Sequence, residues 1–111
     1  MVLPPGKRER EYQFFKDTEI FGNLLAGTTA GSIVLNTPTP KVGDLFIFNS
    51  GSTDVYYNLW TSGVNGGVST SGTLLEAGAK IVYTDVGFDV IGLITAAGVS
   101  KVYAQKIYSS R

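Results

Sequence analysis

At 111 residues the chain has the length of one domain, and 43% hydrophobic with only 16% charged residues gives it the apolar material for a single core. Nine Lys and Arg balance nine Asp and Glu, so no net field draws it to nucleic acid or to an anionic membrane. Histidine and cysteine are both absent, which removes disulfides, Ser-His and Cys-His nucleophile pairs, the usual zinc sets and the imidazole pH switch.

The first residues, Met1-Val2-Leu3-Pro4-Pro5-Gly6, carry prolines where the apolar run of a secretory signal would stand, so no signal peptide is expected. Eight of the eighteen charges then fall within the first twenty residues, from Lys7 to Glu19, and a small-residue stretch follows at Gly27-Thr28-Thr29-Ala30-Gly31. This composition shift predicts a polar N-terminal arm over 1–20 joined to a compact module over 21–111. Lys7 to Phe21 could form a short helix with Tyr12, Phe15 and Glu19 on one side, or lie extended with Tyr12, Phe14 and Lys16 in line; the extended arm is favoured.

From Ser32 onward, short runs of β-branched and aromatic residues close on Gly, Pro, Asn, Asp or Ser, which predicts strands over Ser32 to Asn36, Asp44 to Asn49, Val55 to Thr61, Thr73 to Glu76, Lys80 to Thr84, Asp89 to Thr95 and Ser100 to Tyr108. Their close spacing leaves no room for crossover helices and predicts an all-β sandwich or barrel. Pro38 and Pro40 cannot donate in a ladder, while Asn49-Ser50-Gly51, Asn65-Gly66-Gly67, Ala77-Gly78 and Asp85-Val86-Gly87 offer residues that tolerate positive φ, so all are read as turns. In Val55-Tyr56-Tyr57-Asn58-Leu59-Trp60, alternation puts Val55, Tyr57 and Leu59 on one face and Tyr56, Asn58 and Trp60 on the other. The longest apolar stretch, Val90 to Val99, falls far short of the ~20 residues of a membrane helix.

Few residues invite a chemical reading. The glycine-rich run Gly63 to Gly72 lacks the lysine and the following helix of a phosphate loop and reads as a loop between strands. Asp44, Asp54, Glu76, Asp85 and Asp89 are the only acids of the module, and a general acid and base would have to come from them; Asp44, Asp54 and Asp89 each precede an apolar run, the place of a turn acid bonded to local backbone. Asp85 and Asp89 flank a glycine in a spacing calcium accepts, without the further oxygen donors calcium requires, so a hairpin turn is the expectation there. No catalytic, metal or cofactor residue is therefore assigned, and the chain is not expected to be an enzyme. Trp60 with Tyr56 offers an aromatic platform for a sugar ring, set against the core or interface role that a single tryptophan fills in a small sandwich.

Tyr12, Phe14, Phe15, Ile20 and Phe21 are large apolar groups in a charged segment and must be buried somewhere. They form either a first strand on their own domain or an arm on a neighbouring subunit. Four aromatics at ~150 to 250 Å² each would bury ~600 to 1,000 Å², about one partner's share of a standard interface. Twenty extended residues reach up to ~65 Å, longer than the module. The mixed charges Lys7 to Glu11 suit a rim that sets register, and Glu9 and Glu11 make the arm a poor binder of nucleic acid.

The opening Met1 to Arg10, the strand Val55-Tyr56-Tyr57-Asn58-Leu59 and the segment Ile91 to Ala104 together resemble small all-β virion proteins that decorate tailed double-stranded DNA phages, most nearly the staple proteins of epsilon15-like short-tailed phages. The resemblance implies a jelly-roll-like antiparallel β-sandwich, a dimer on the outer capsid surface, the major capsid protein as partner and synthesis in the host cytoplasm. It brings no site residues. Contacts repeated over a lattice would gain avidity without individual strength. A carbohydrate-binding module using Tyr56 and Trp60 is the alternative.

Overall fold

A computed structural model describes residues 17–35, 42–64 and 66–109. They form eight strands and no helix: β1 (Asp17–Ala26), β2 (Gly31–Val34), β3 (Gly43–Asn49), β4 (Val55–Trp60), β5 (Thr73–Leu75), β6 (Lys80–Val86), β7 (Val90–Ile94) and β8 (Ser100–Ser109). The all-β expectation holds, and seven of the eight strands lie where the alternating runs put them. The turn prolines Pro38 and Pro40, and Asn65, lie outside the described residues.

Two antiparallel sheets result, sheet A in the order β1-β8-β3-β6 and sheet B in the order β2-β7-β4-β5. Every connection except β4 to β5 passes from one sheet to the other, which is the jelly-roll order of two interleaved Greek keys. Period-2 alternation then sorts side chains by face. In β3, Leu45, Ile47 and Asn49 point inward and Asp44, Phe46 and Phe48 outward. In β8, Val102, Ala104, Lys106 and Tyr108 are buried while Tyr103 is exposed. Leu45, Ile47, Val55, Tyr57, Ile91, Leu93 and Val102 form the centre of the core between the sheets. Burying each such aliphatic side chain is worth ~1.5 to 3 kcal/mol.

The strand absent from the sequence reading is β1, which pairs with β8 without interruption from Asp17↔Ser109 to Ala26↔Ser100. The expected arm boundary at residue 20 therefore falls inside a strand. Ile20, Leu24 and Ala26 pack with the core, and Gly22 faces Ile33 so closely that a Cβ there would stand 2.6 Å from it. Of the five proposed arm residues, Ile20 thus serves its own domain and Phe21 points away from it; Tyr12, Phe14 and Phe15 lie outside the described residues. The extended conformation expected at the end of this segment is found from Asp17 on.

Strand β6 also continues two residues past its expected end. Opposite Asp44 the register shifts by one residue, and Asp85 takes a φ of 54° while its N–H reaches the Asp44 carboxylate at 3.3 Å. The residues read as a turn form a β-bulge that lets the strand run on.

Buried side-chain nitrogens and oxygens are all partnered among the described residues. Asn49 joins three segments at one end of the sandwich: its amide donates to the carbonyls of Thr53 (2.8 Å) and Leu75 (3.1 Å), and its oxygen accepts from Ser100 Oγ (2.5 Å). Lys106, 0% exposed, donates to the Phe88 carbonyl at 2.6 Å. Tyr57 and Tyr83 join hydroxyls across the two sheets with their rings edge to face.

Candidate functional site

The outward face of sheet A is the least ordinary surface of the molecule. Strand β3 reads Leu45-Phe46-Ile47-Phe48, apolar on both faces, which in an antiparallel sheet means that both faces want cover. The ladders align these outward residues with those of neighbouring strands. One row across the sheet is Phe21, Gln105, Phe46 and Val82, and the next is Asn23, Tyr103, Phe48 and Lys80. Phe21 is 67% exposed, Val82 50% and Tyr103 46%.

Between them runs an open groove of about 480 Å³ floored by Phe46, Phe48 and the backbone of β8. Lys80, which lines it, has its Nζ 5.4 Å from the Phe48 ring centroid, and Lys101, next along β8, has its Nζ 5.9 Å from that of Tyr103. Such contacts are worth ~0.5 to 1 kcal/mol at exposed sites. Exposed apolar side chains gathered on one face in this way make it the candidate interaction surface of the described residues.

The aromatic platform considered at Tyr56 and Trp60 lies on the opposite side of the molecule, on the outward face of sheet B. Both side chains are half-buried and share that face. The Trp60 indole is spoken for: a Cβ on Gly92 of neighbouring β7 would come within 2.6 Å of its ring, and one on Gly66 of the covering loop within 2.2 Å. Asn58 ties the same loop down by donating to the Gly67 carbonyl at 2.8 Å. The glycine-rich run is a cover seated on tryptophan, which leaves Tyr56 without a flat neighbouring ring open beside it.

The acids are dispersed. Asp54 accepts from the Ala77 N–H at 2.9 Å, fixing the turn after β5, and Asp44 from that of Asp85 in the β6 bulge, each partner far away in sequence where a local bond was expected. Asp89 is buried and accepts from both the N–H (2.6 Å) and the hydroxyl (2.8 Å) of Ser62, tying the end of β4 to the start of β7. Asp85 is exposed in the β6 bulge, while Asp89 is buried with both carboxylate oxygens accepting from Ser62. Among the described residues no group of three or more Asp, Glu, His or Cys is placed to hold a metal ion.

Sequence reasoning singled out Phe21 but missed Phe46, Phe48, Val82, Tyr103, Lys80 and Lys101. The doubled apolar pattern of β3 was the available signal. The other residues become one surface only through strand order, since β1, β8, β3 and β6 are neighbours in space and scattered in sequence.

The chain matches no family model and no curated protein. Among solved structures, it superposes on a chain of the Bacillus endospore appendages, which form a novel family of disulfide-linked pili, with a TM-score of 0.57 at 16% identity, covering 86% of this chain and 88% of that one. At that identity the likeness is one of fold. A cobalt(II) form of HppE in complex with its substrate aligns with a TM-score of 0.42 at 17% identity over 81% of this chain and 44% of that one, too loosely to carry an inference.

Proposed function

We propose that this chain is a structural, non-catalytic subunit of a repetitive protein assembly, and that its place is the outer surface of a phage shell, where it decorates and staples capsomers of the major capsid protein. The observation that carries the assembly reading is the outward face of sheet A, where Phe21, Val82 and Tyr103 stand exposed around a groove lined by Phe46 and Phe48. The jelly-roll body supplies a stiff platform, and the residues before β1, with Tyr12, Phe14 and Phe15, supply a tether to a neighbour. A chain of like fold belongs to disulfide-linked pili; this sequence has no cysteine, so an assembly made from it is not joined by its own disulfides. The shell reading itself rests on the sequence resemblance to phage staple proteins.

The test is binding to shells from the source of this sequence, followed by electron microscopy and by heat release of the shell contents. The full chain is expected to add density to the outer surface and to raise the release temperature. A chain lacking residues 1–15, which leaves β1 whole, is expected to bind at least about tenfold more weakly through loss of the tether. A full chain that leaves shells undecorated sinks the capsid reading, and undiminished binding by the shortened chain sinks the role of the arm.

A further inference from the structure

The outward face of sheet A carries a charge pattern as well as an apolar one. Extending the ladders by one row at each end puts Glu19, Ile107 and Asp44 side by side before the aromatic rows, and Leu25 beside Lys101 after them. The face thus has two carboxylates at one end, Lys101 and Lys80 toward the other, and Phe21, Phe46, Phe48 and Tyr103 between.

We propose that this face is the interface of a homodimer, two copies packing sheet A against sheet A about a twofold axis that lies between the sheets and runs across the strands. That operation keeps the lateral order of the strands and reverses the order of the rows. Strand β8 of one copy then lies over β8 of the other, with its Lys101 above Ile107 of the second copy and therefore between Glu19 on β1 and Asp44 on β3. Packed sheets cross at about 30°, which displaces the ends sideways by about one strand spacing, and an acid stands on either side to receive the ammonium. A twofold axis along the strands would instead stack acids on acids and lysines on lysines. The charge pattern therefore selects both the occupant, a second copy, and its orientation.

Four strands about 4.8 Å apart and four rows about 6.8 Å apart make a face smaller than the ~800 Å² per partner of a standard interface. A dimer of micromolar stability is expected from the face alone. The inference deepens the assembly reading and rests on it only in taking the chain to act through protein contacts.

Sedimentation equilibrium on the full chain from about 1 μM to about 500 μM reads the dimer directly. Wild type is expected to show a monomer–dimer equilibrium in that range. Lys101→Glu alone, and Glu19→Lys with Asp44→Lys alone, are each expected to dimerise at least about tenfold more weakly, because both ends of the joint then repel. Mixing the two variants restores association as a heterodimer, since each lysine or glutamate again meets its opposite at both ends. Asp44 accepts a hydrogen bond from Asp85, so Glu19→Lys by itself serves as the second acid variant if the double one melts early. A wild type that stays monomeric throughout, its face covered by its own residues 1–16 or by nothing, overturns the proposal; so does failure of the mixed variants to rescue. Shell binding is measured separately, and decoration by a strictly monomeric chain would overturn this dimer while leaving the assembly reading intact.

Discussion

Lys106 shows how one residue can carry a pH dependence into an otherwise bland core. Burial pushes its ammonium below the ordinary lysine range, and the nearby Asp89 carboxylate opposes the shift. Between the lowered value and the ordinary one, the unfolded chain holds a proton that the folded chain has released, so stability rises with pH through that window and is lowest below it. Tyr57 has the opposite sign. Burial first, and then the hydrogen bond with Tyr83 and the charge of Tyr83, hold its phenol protonated above the ordinary tyrosine range. Its contribution is complete below about pH 10 and declines above it. In urea titrations Lys106→Met is expected to lack the rise in stability that wild type shows approaching about pH 10, and Tyr57→Phe to lack the loss beyond it. Matching pH profiles for Lys106→Met and wild type would mean that the buried amine keeps an ordinary affinity for its proton.

Among the elements, β7 is the one whose surroundings were hardest to read. Its sequence Val90-Ile91-Gly92-Leu93-Ile94 is buried on both faces, the inward one by the core and the outward one at Gly92 by Trp60 and Val68. The glycine is there because the indole lies where a side chain would be. Gly92→Ala is therefore expected to push Trp60 and its loop outward, at a cost of about 1 to 3 kcal/mol. As the chain has a single tryptophan, its fluorescence reports this directly: emission should shift to the red, and an unchanged spectrum would show that the ring is held elsewhere. Strand β1 was lost to the sequence reading for the converse reason. Its inward residues Ile20, Gly22, Leu24 and Ala26 include a glycine and an alanine, and charge at its first end imitates a solvated arm.

For the molecule as a whole, the jelly-roll order makes distant contacts obligatory. Strand β1 pairs along its full length with the last strand, which also lies against β3, so sheet A is not complete until β8 arrives, and sheet B waits for β7 to join β2 to β4. Loop closure must then precede most of the burial that rewards it. Stopped-flow refolding is expected on the millisecond to second scale, and a microsecond phase carrying the full amplitude would contradict a topology dominated by such pairings. The same strand order assembles the dimer face, whose acids come from β1 and β3 and whose lysines come from β6 and β8.

The strand content and most strand limits were legible because alternation and turn chemistry are local. Val55 to Trp60, for example, declares its two faces within six residues. The lack of His and Cys chemistry was equally plain, being a matter of composition alone. What only the tertiary structure decided is which outward faces stand together. Phe21, Phe48, Tyr103 and Val82 become one groove because hydrogen-bonded ladders bring four separated strands to about 4.8 Å spacing. Trp60, equally apolar in the sequence, is half-buried because Gly66 of the following loop and Gly92 of β7 lie against its ring. Local pattern tells each side chain which way to face, whereas what it meets there depends on pairings between residues far apart in the chain.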